Sequence, residues 1–297
     1  MSKDTSISKQ NFGKAVAAKL KDYHMLVKFR LSFIVVFSAG IGYLFAGGAQ
    51  SSFFLFLAGG FLITAASNAI NQIIESDTDK LMTRTADRPL AAGRMQATEA
   101  IIAAGLMAVS GIAILWVWFN TLSALLGALS LISYAFLYTP MKKVSPVAVF
   151  IGAFPGAMPP LIGCAAAMGS INDLAILLFS VQFVWQFPHF WSIAWVAAED
   201  YAKGGFHLLP SVKGKSKTSA IYIVIYTILL IPVSLLMYFL GYTGWVSALI
   251  VFITGILFLL QTVKLFRSCE TKDARSLMFG SFLYLPIVLI ALLVDQI

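Results

Sequence analysis

The sequence predicts an all-α polytopic membrane protein, about nine transmembrane helices around a central cavity open to the cytoplasmic side. Three observations carry that fold class. The 297 residues are 59% hydrophobic and 11% charged, where a soluble domain is about 45–50% apolar and about 25% charged. Apolar runs recur along the whole chain, each near the roughly 20 residues that a helix needs to cross a bilayer core. The 21 Lys and Arg residues fall into five clusters, each separated from the next by a pair of those runs.

Residues 1–26 read as a basic cytoplasmic segment ahead of a single membrane domain, 27–297. In the segment, Phe12, Val16, Leu20, Tyr23 and Val27 share one helical face, which Lys14, Lys21 and Lys28 mostly avoid. Two readings fit: an interfacial helix on the inner leaflet or a frayed basic tail. The first apolar run starts too late for a cleavable signal peptide, and no mitochondrial transit peptide stands out, so a bacterial cytoplasmic (inner) membrane is expected.

Spans are expected at 27–47, 53–74, 97–118, 121–138, 145–168, 173–197, 219–240, 243–264 and 276–294. These runs are too long and too uniformly apolar for barrel strands. Seven cationic residues lie up to Arg30. The others are Lys80, Arg84, Arg88 and Arg94; Lys142 and Lys143; Lys203, Lys213, Lys215 and Lys217; and Lys264, Arg267, Lys272 and Arg275. With nine spans, every cluster falls on the side of the N-terminus. The positive-inside rule then puts the N-terminus in the cytoplasm and the C-terminus outside. The net charge of +8 is accounted for by topology and attraction to the anionic lipid bilayer, with no nucleic acid needed. Cys164 and Cys269 lie in a span and a loop, so no disulfide or cysteine metal site is expected.

The fifth span holds Pro155, Pro159 and Pro160 among Gly152, Gly156 and Gly163. It is expected to kink, and its small residues suit either a cavity wall or close helix packing. A weak repeat with a period of four spans is also visible. Acidic loops follow the second span (Glu75 to Asp79) and the sixth (Glu199, Asp200), and basic residues follow the fourth and eighth. Repeats of this kind often hold a site at their interface.

The most informative stretch is Asn68–Leu90. Asn71, Glu75 and Asp79 are spaced i, i+4, i+8, which aligns them on one helical face. Such a row of oxygens suits Mg²⁺, which is held by one or two carboxylates plus a substrate phosphate. The plain alternative is a helix end whose acids face water. Arg84 and Arg88 are placed to bind a pyrophosphate, with Lys142, Lys143 and Lys203 as further members of the clamp. His189 sits in the sixth span among Phe187, Pro188 and Phe190, where a hydrogen-bonded core histidine is the plain reading. His207 lies in the following loop, and His24 reads as an interfacial residue. Trp185, Trp191 and Trp195 recur near helical spacing, as packing or belt residues do.

Asn71-x-x-x-Glu75-x-x-x-Asp79 followed by Arg84-Thr85-x-x-Arg88-Pro89-Leu90 resembles the first signature of the UbiA-type intramembrane prenyltransferases. Tyr138-Thr-Pro-Met-Lys-Lys143, Gly156-Ala-Met-Pro-Pro-Leu161, Pro188-His-Phe-Trp191 and Asp200-Tyr-Ala-Lys-Gly-Gly-Phe-His-Leu-Leu-Pro210 resemble the heme-farnesylating branch of that family. The likeness runs from about Lys28 to Ile297. It implies farnesyl transfer from farnesyl diphosphate to a vinyl group of heme B, with heme B as substrate rather than cofactor. It implies catalytic roles for Asn71, Glu75, Asp79 and Arg84, with Mg²⁺ on Asn71, Glu75, Asp79 and Asp200. Diphosphate falls to Arg84, Arg88, Lys142, Lys143 and Lys203, and heme to His189, His207 and Trp191, with the iron or a propionate as the contact of His189. Downstream heme A synthase or oxidase-assembly proteins are the partners it implies. Two departures stand out. The middle acid is Glu75 where the family usually has Asp, and Ala197 and Tyr201 occupy the two positions of the family's second acidic motif. The alternatives are a prenyltransferase acting on an aromatic quinone precursor and a secondary transporter.

Overall fold

The computed structural model describes residues 2–297, with side chains described from Gly13 onward. The helices in chain order are α1 (Ser2–Leu26), α2 (Phe29–Phe45), α3 (Phe53–Ile74), α4 (Ser76–Asp79), α5 (Ala97–Trp118), α6 (Thr121–Ile132), α7 (Thr139–Met141), α8 (Ala148–Met168), α9 (Asp173–Val196), α10 (Ala198–Lys203), α11 (Lys217–Phe239), α12 (Trp245–Ser268) and α13 (Thr271–Val294). The residues Ser133–Tyr138 join α6 to α7 by a π-helical turn. Among the described residues, strand pairing is limited to an isolated bridge between Thr243 and Gln296.

Among the described residues eight helices are long and apolar enough to cross a membrane, nine if the pair 13–26 and α2, bent by 47°, counts as one broken span. The expected first span, 27–47, is therefore broken near its start. Lys28 has φ +47°, in the left-handed region, and α2 runs for only 17 residues beyond it. That length covers about 25 Å, short of a bilayer core of about 30 Å, so the last turns of α1 continue the span across the bend. Polar caps start three of the spans. The side-chain oxygens of Asn120, Asn172 and Ser216 accept from the backbone N–H of Ser123, Ala175 and Ser219, each satisfying a donor that the helix start would leave unpaired.

The end of α1 is docked on the bundle. Leu26 is buried against Ala69, Leu90, Met95 and Ala100. Glu99 accepts from Lys19 Nζ at 2.7 Å and Tyr23 OH at 2.8 Å, and Arg94 Nε donates to Asp22 at 2.9 Å. Val16 and Leu20 stay exposed, as an interfacial face would; Phe12 lies outside the residues with described side chains. Lys28 departs from its expected solvated face, because its ammonium turns inward (see below).

The centre belongs to α8 and α9, each 72% buried over its span against 22% for α5 and 28% for α12. The glycines of α8 serve both expected purposes. Gly163 lets α8 touch α2: a Cβ there would overlap the carbonyl oxygen of Ala39, and one at Gly42 would overlap that of Pro160. Gly152 and Gly156 line a cavity, with the rings of Tyr138 and the carboxamide of Gln186 filling the space beside them. Gly163→Ala is expected to destabilise the protein by about 1–3 kcal/mol, the cost of an overpacked contact, read as a lower unfolding temperature in detergent. Gly105→Ala, in α5 with open space around it, is the control and should leave that temperature unchanged.

The two halves repeat one backbone device. α3 is capped by Glu75 with φ −95°, ψ 5°, and α9 by Ala197 with φ −95°, ψ 10°; each cap is followed at once by a short helix, α4 or α10. These matched breaks bring both polar loops to the same mouth.

Candidate active site

One cavity of about 360 Å³ runs inward from these breaks. Its polar end gathers Lys28, Asn71, Glu75, Asp79, Arg84, Arg88 and Lys142. Deeper in, its walls are Tyr134, Tyr138, Trp185, His189 and Phe190. Leu31 and Ile34 of α2 and Phe282 of α13 line it and are also exposed, so the apolar end opens sideways toward lipid.

The helical row predicted from spacing is bent by the break at Glu75, yet all three members face the cavity. Each is held by a cation. Lys28 Nζ donates to Asn71 Oδ1 at 2.8 Å. Lys142 pairs with Glu75. Arg88 Nη1 donates to both oxygens of Asp79, at 2.9 and 2.7 Å. Asn71 Nδ2 donates in turn to Glu75 Oε2 (2.9 Å) and Thr139 Oγ1 (3.1 Å). Glu75 and Asp79 are almost fully buried. Carboxylates so placed are tolerated because opposite charges and hydrogen bonds accompany them.

The π turn has a local cause and a local result. Pro140 has no N–H to give to the preceding turn. Thr139 Oγ1 donates instead to Tyr134 O at 2.9 Å. The turn aims Tyr134 and Tyr138 into the cavity and delivers Lys142 beneath Glu75. π turns recur at functional sites.

Asp200 has a different place from the other acids. It does not line the cavity; its carboxylate accepts from the backbone N–H of Thr83 (2.7 Å) and Arg84 (3.1 Å). Burial alone would raise its pKa. The N–H groups of Arg84 and Thr83, with the Lys203 ammonium, outweigh burial and hold the carboxyl below the usual carboxylate range. Lys203 Nζ reaches Thr83 Oγ1 at 3.0 Å and stays outside the cavity. The two loops are thus latched together, and Arg84 is stacked on Tyr201 with its guanidinium carbon 5.5 Å from the ring centroid. With Ala197 and Tyr201 at the second motif, one row of carboxylates serves the cavity.

The remaining candidates divide. His189 lines the cavity. Trp191 is buried between Phe187 and Tyr226 and does not reach it. Lys143 is exposed outside it. His207 lines a neighbouring space of about 440 Å³, which shares Tyr201, Phe206 and Leu208 with the first. Sequence reasoning missed Lys28, Thr139, Tyr134 and Tyr138. Lys28 was hidden among basic residues of the N-terminal segment, and only the left-handed break turns it inward.

In composition the site is an anion trap with a hard-cation donor set: four cations face two carboxylates at the polar end of an apolar chamber. The chain matches the UbiA prenyltransferase family over residues 35–285. It is 51% identical over 286 residues to the protoheme IX farnesyltransferase of Cytophaga hutchinsonii, covering 95% of this chain and 100% of that one. It is 42% identical over 288 residues to the protein of that name from Christiangramia forsetii, covering 94% and 95%. Among solved structures, a digeranylgeranylglyceryl phosphate synthase superposes with a TM-score of 0.77 at 21% identity, over 94% of this chain and 98% of that one. A UbiA homolog from Archaeoglobus fulgidus bound to GPP and Mg²⁺ gives 0.71 at 15% identity, over 91% and 99%.

Proposed function

Because the chain belongs to the UbiA prenyltransferase family, we propose that it transfers the farnesyl group of farnesyl diphosphate to a vinyl group of heme B, giving heme O. The observation that carries this reading is the excess of cations over carboxylates at the mouth of an apolar cavity open to lipid. The charge of the mouth suits a diphosphate, and the apolar and aromatic walls suit an isoprenyl chain and a porphyrin. The curated relatives named above supply the choice of heme.

The donor set fits Mg²⁺. Glu75 and Asp79 offer carboxylate oxygens and Asn71 a carboxamide oxygen, all facing the cavity, the hard-oxygen chemistry that Mg²⁺ takes beside a phosphate. When bound there, Mg²⁺ supplies Lewis-acid charge to the departing diphosphate. Lys28, Lys142, Arg84 and Arg88 share that leaving-group charge, and their fixed positions lower the cost of breaking the allylic C1–O bond. Arg84 is held for this work by Tyr201 beneath it and by Asp200 on its own N–H. Tyr134 and Tyr138 wall the space beyond with aromatic faces, which stabilise a nearby cation and keep water from it. The vinyl carbon then bonds to farnesyl C1, water adds to the porphyrin-stabilised cation, and one proton is lost to solvent. The initial ionisation needs no strong general base.

The chain sits in a bacterial inner membrane, with its N-terminus and the polar mouth in the cytoplasm. The N-terminal segment lies at the interface, followed by one membrane domain, and the product passes to a heme A synthase or to oxidase assembly.

Asp200→Asn should raise KM for farnesyl diphosphate about 10-fold, the scale of a lost charge-assisted hydrogen bond. It should leave kcat and the fold nearly intact; an unchanged KM would remove Asp200 from the positioning of Arg84. The reading as a whole is tested by offering purified protein farnesyl diphosphate and Mg²⁺ with three acceptors in competition: heme B, hydroxybenzoate and a hydroxynaphthoate. Prenylated heme as the main product supports it. Prenylated benzoate or naphthoate with unmodified heme would assign the protein to quinone synthesis instead.

A further inference from the structure

His189 is fixed by an unusual set of contacts for a histidine in a membrane helix. Its Nδ1 lies 2.8 Å from Ser281 Oγ of α13. Ser281 Oγ in turn donates to the backbone carbonyl of Met278 at 2.6 Å. A hydroxyl has one proton. We assign that proton to Met278 O, the shorter contact and a group that can only accept; Ser281 then accepts from His189, Nδ1 carries the hydrogen and Nε2 the lone pair. The ring is further clamped by Trp185, stacked on it at 4.3 Å and 16°. Trp185 Nε1 donates to the backbone carbonyl of the same Ser281 at 3.1 Å. Phe282 closes the other side, edge-on at 5.1 Å.

Nε2 makes no hydrogen bond to any described residue, although His189 borders the cavity. A core histidine is normally satisfied at both nitrogens. One nitrogen tied to an acceptor and the other free in an apolar chamber is instead the arrangement of a metal-ligating imidazole, whose orientation and basicity are set by its second hydrogen bond.

We propose that Nε2 of His189 ligates the iron of the heme acceptor, with Ser281 and Trp185 as positioning residues that fix the tautomer and the plane of the ring. The inference rests on heme being the acceptor. Ligation would tether the macrocycle by its centre, leaving a vinyl edge to meet the farnesyl C1, while the diphosphate stays at the polar end of the same cavity. The family resemblance left both iron and a propionate open as the contact of His189. The donor direction at Ser281 favours iron, since a propionate would want a proton on Nε2.

The test is spectroscopic and needs no turnover. Protein without a histidine tag is loaded with heme B, reduced, and examined by resonance Raman for the iron–histidine stretch. The parent protein and His207→Ala should both show the band. His189→Gly should lose it, and added imidazole should restore it. Ser281→Ala keeps a ligand but removes the acceptor at Nδ1, so the band should move to lower frequency and heme should bind about 10-fold more weakly. Heme bound by His189→Gly with the band intact would overturn the proposal and leave the heme reading standing. Ser281→Ala with an unmoved band would overturn the role of Ser281. A parent protein that binds no heme at all would overturn both the proposal and the acceptor on which it rests.

Discussion

Asp79→Asn is expected to lower heme farnesylation by about 10²–10³-fold, the scale on which removing one preorganised charge-stabilising group acts. The side chain is almost fully buried and its two oxygens are both held by Arg88, at 2.9 and 2.7 Å. The amide keeps the shape and one acceptor oxygen, so the packing around Met82 and Thr85 survives. What is lost is a negative charge, and with it an oxygen ligand for Mg²⁺ and the counter-charge of Arg88. The loss should appear in kcat more than in KM, because the charge acts on the bond that breaks. Circular dichroism and elution volume should match the parent protein. A variant that turns over like the parent would remove Asp79 from the chemistry and leave it as a structural partner of Arg88.

Lys142→Met is expected to have the second-largest effect, a loss of activity together with a loss of stability. The side chain is buried and pairs with Glu75, itself buried. Removing one member of such a pair leaves the other charge uncompensated, at about 3–5 kcal/mol. In the presence of a chelator the unfolding temperature should therefore drop by several degrees. Mg²⁺ should restore much of that loss by giving Glu75 a new counter-charge, whereas in the parent protein Mg²⁺ should change the temperature less. The double variant Glu75→Gln with Lys142→Met should recover stability, since no charge is left stranded, and should stay inactive. If Mg²⁺ leaves the stability of Lys142→Met unchanged, Glu75 is not a metal ligand.

The architecture was legible because a membrane imposes simple rules. A helix in lipid must be long, apolar and internally hydrogen-bonded, and those properties are local. The cationic clusters then pointed to nine spans, where eight helices, or nine with the bent pair as one span, are long and apolar enough. The break at the start of the first span carried no signal, because it depends on one residue, Lys28, adopting a left-handed conformation that no pattern of hydropathy encodes. The acid row was legible for the same local reason, its i, i+4, i+8 spacing. What the row meets was not. Lys28 stands at the head of α2 and Thr139 and Lys142 at the two ends of α7, and their convergence on the row depends on the π turn and on α2 packing against α8 through Gly42 and Gly163. Asp200 shows the limit of reading by chemistry alone: an acid in the second loop looks like a metal ligand until the backbone N–H groups of Thr83 and Arg84 are seen to claim it. Ser281 carried no signal at all, being one serine in an apolar helix whose meaning comes only from His189 across the interface.

The most direct measurement is the mass of heme extracted after purified protein has been incubated with heme B, farnesyl diphosphate and Mg²⁺ in water enriched in heavy oxygen. The account predicts a heme heavier by one farnesyl group and one hydroxyl, with the heavy oxygen incorporated, no such species in the chelated sample, and about a hundredth as much or less in Asp79→Asn. Heme recovered unchanged from folded protein, with farnesyl diphosphate still intact, would contradict the account.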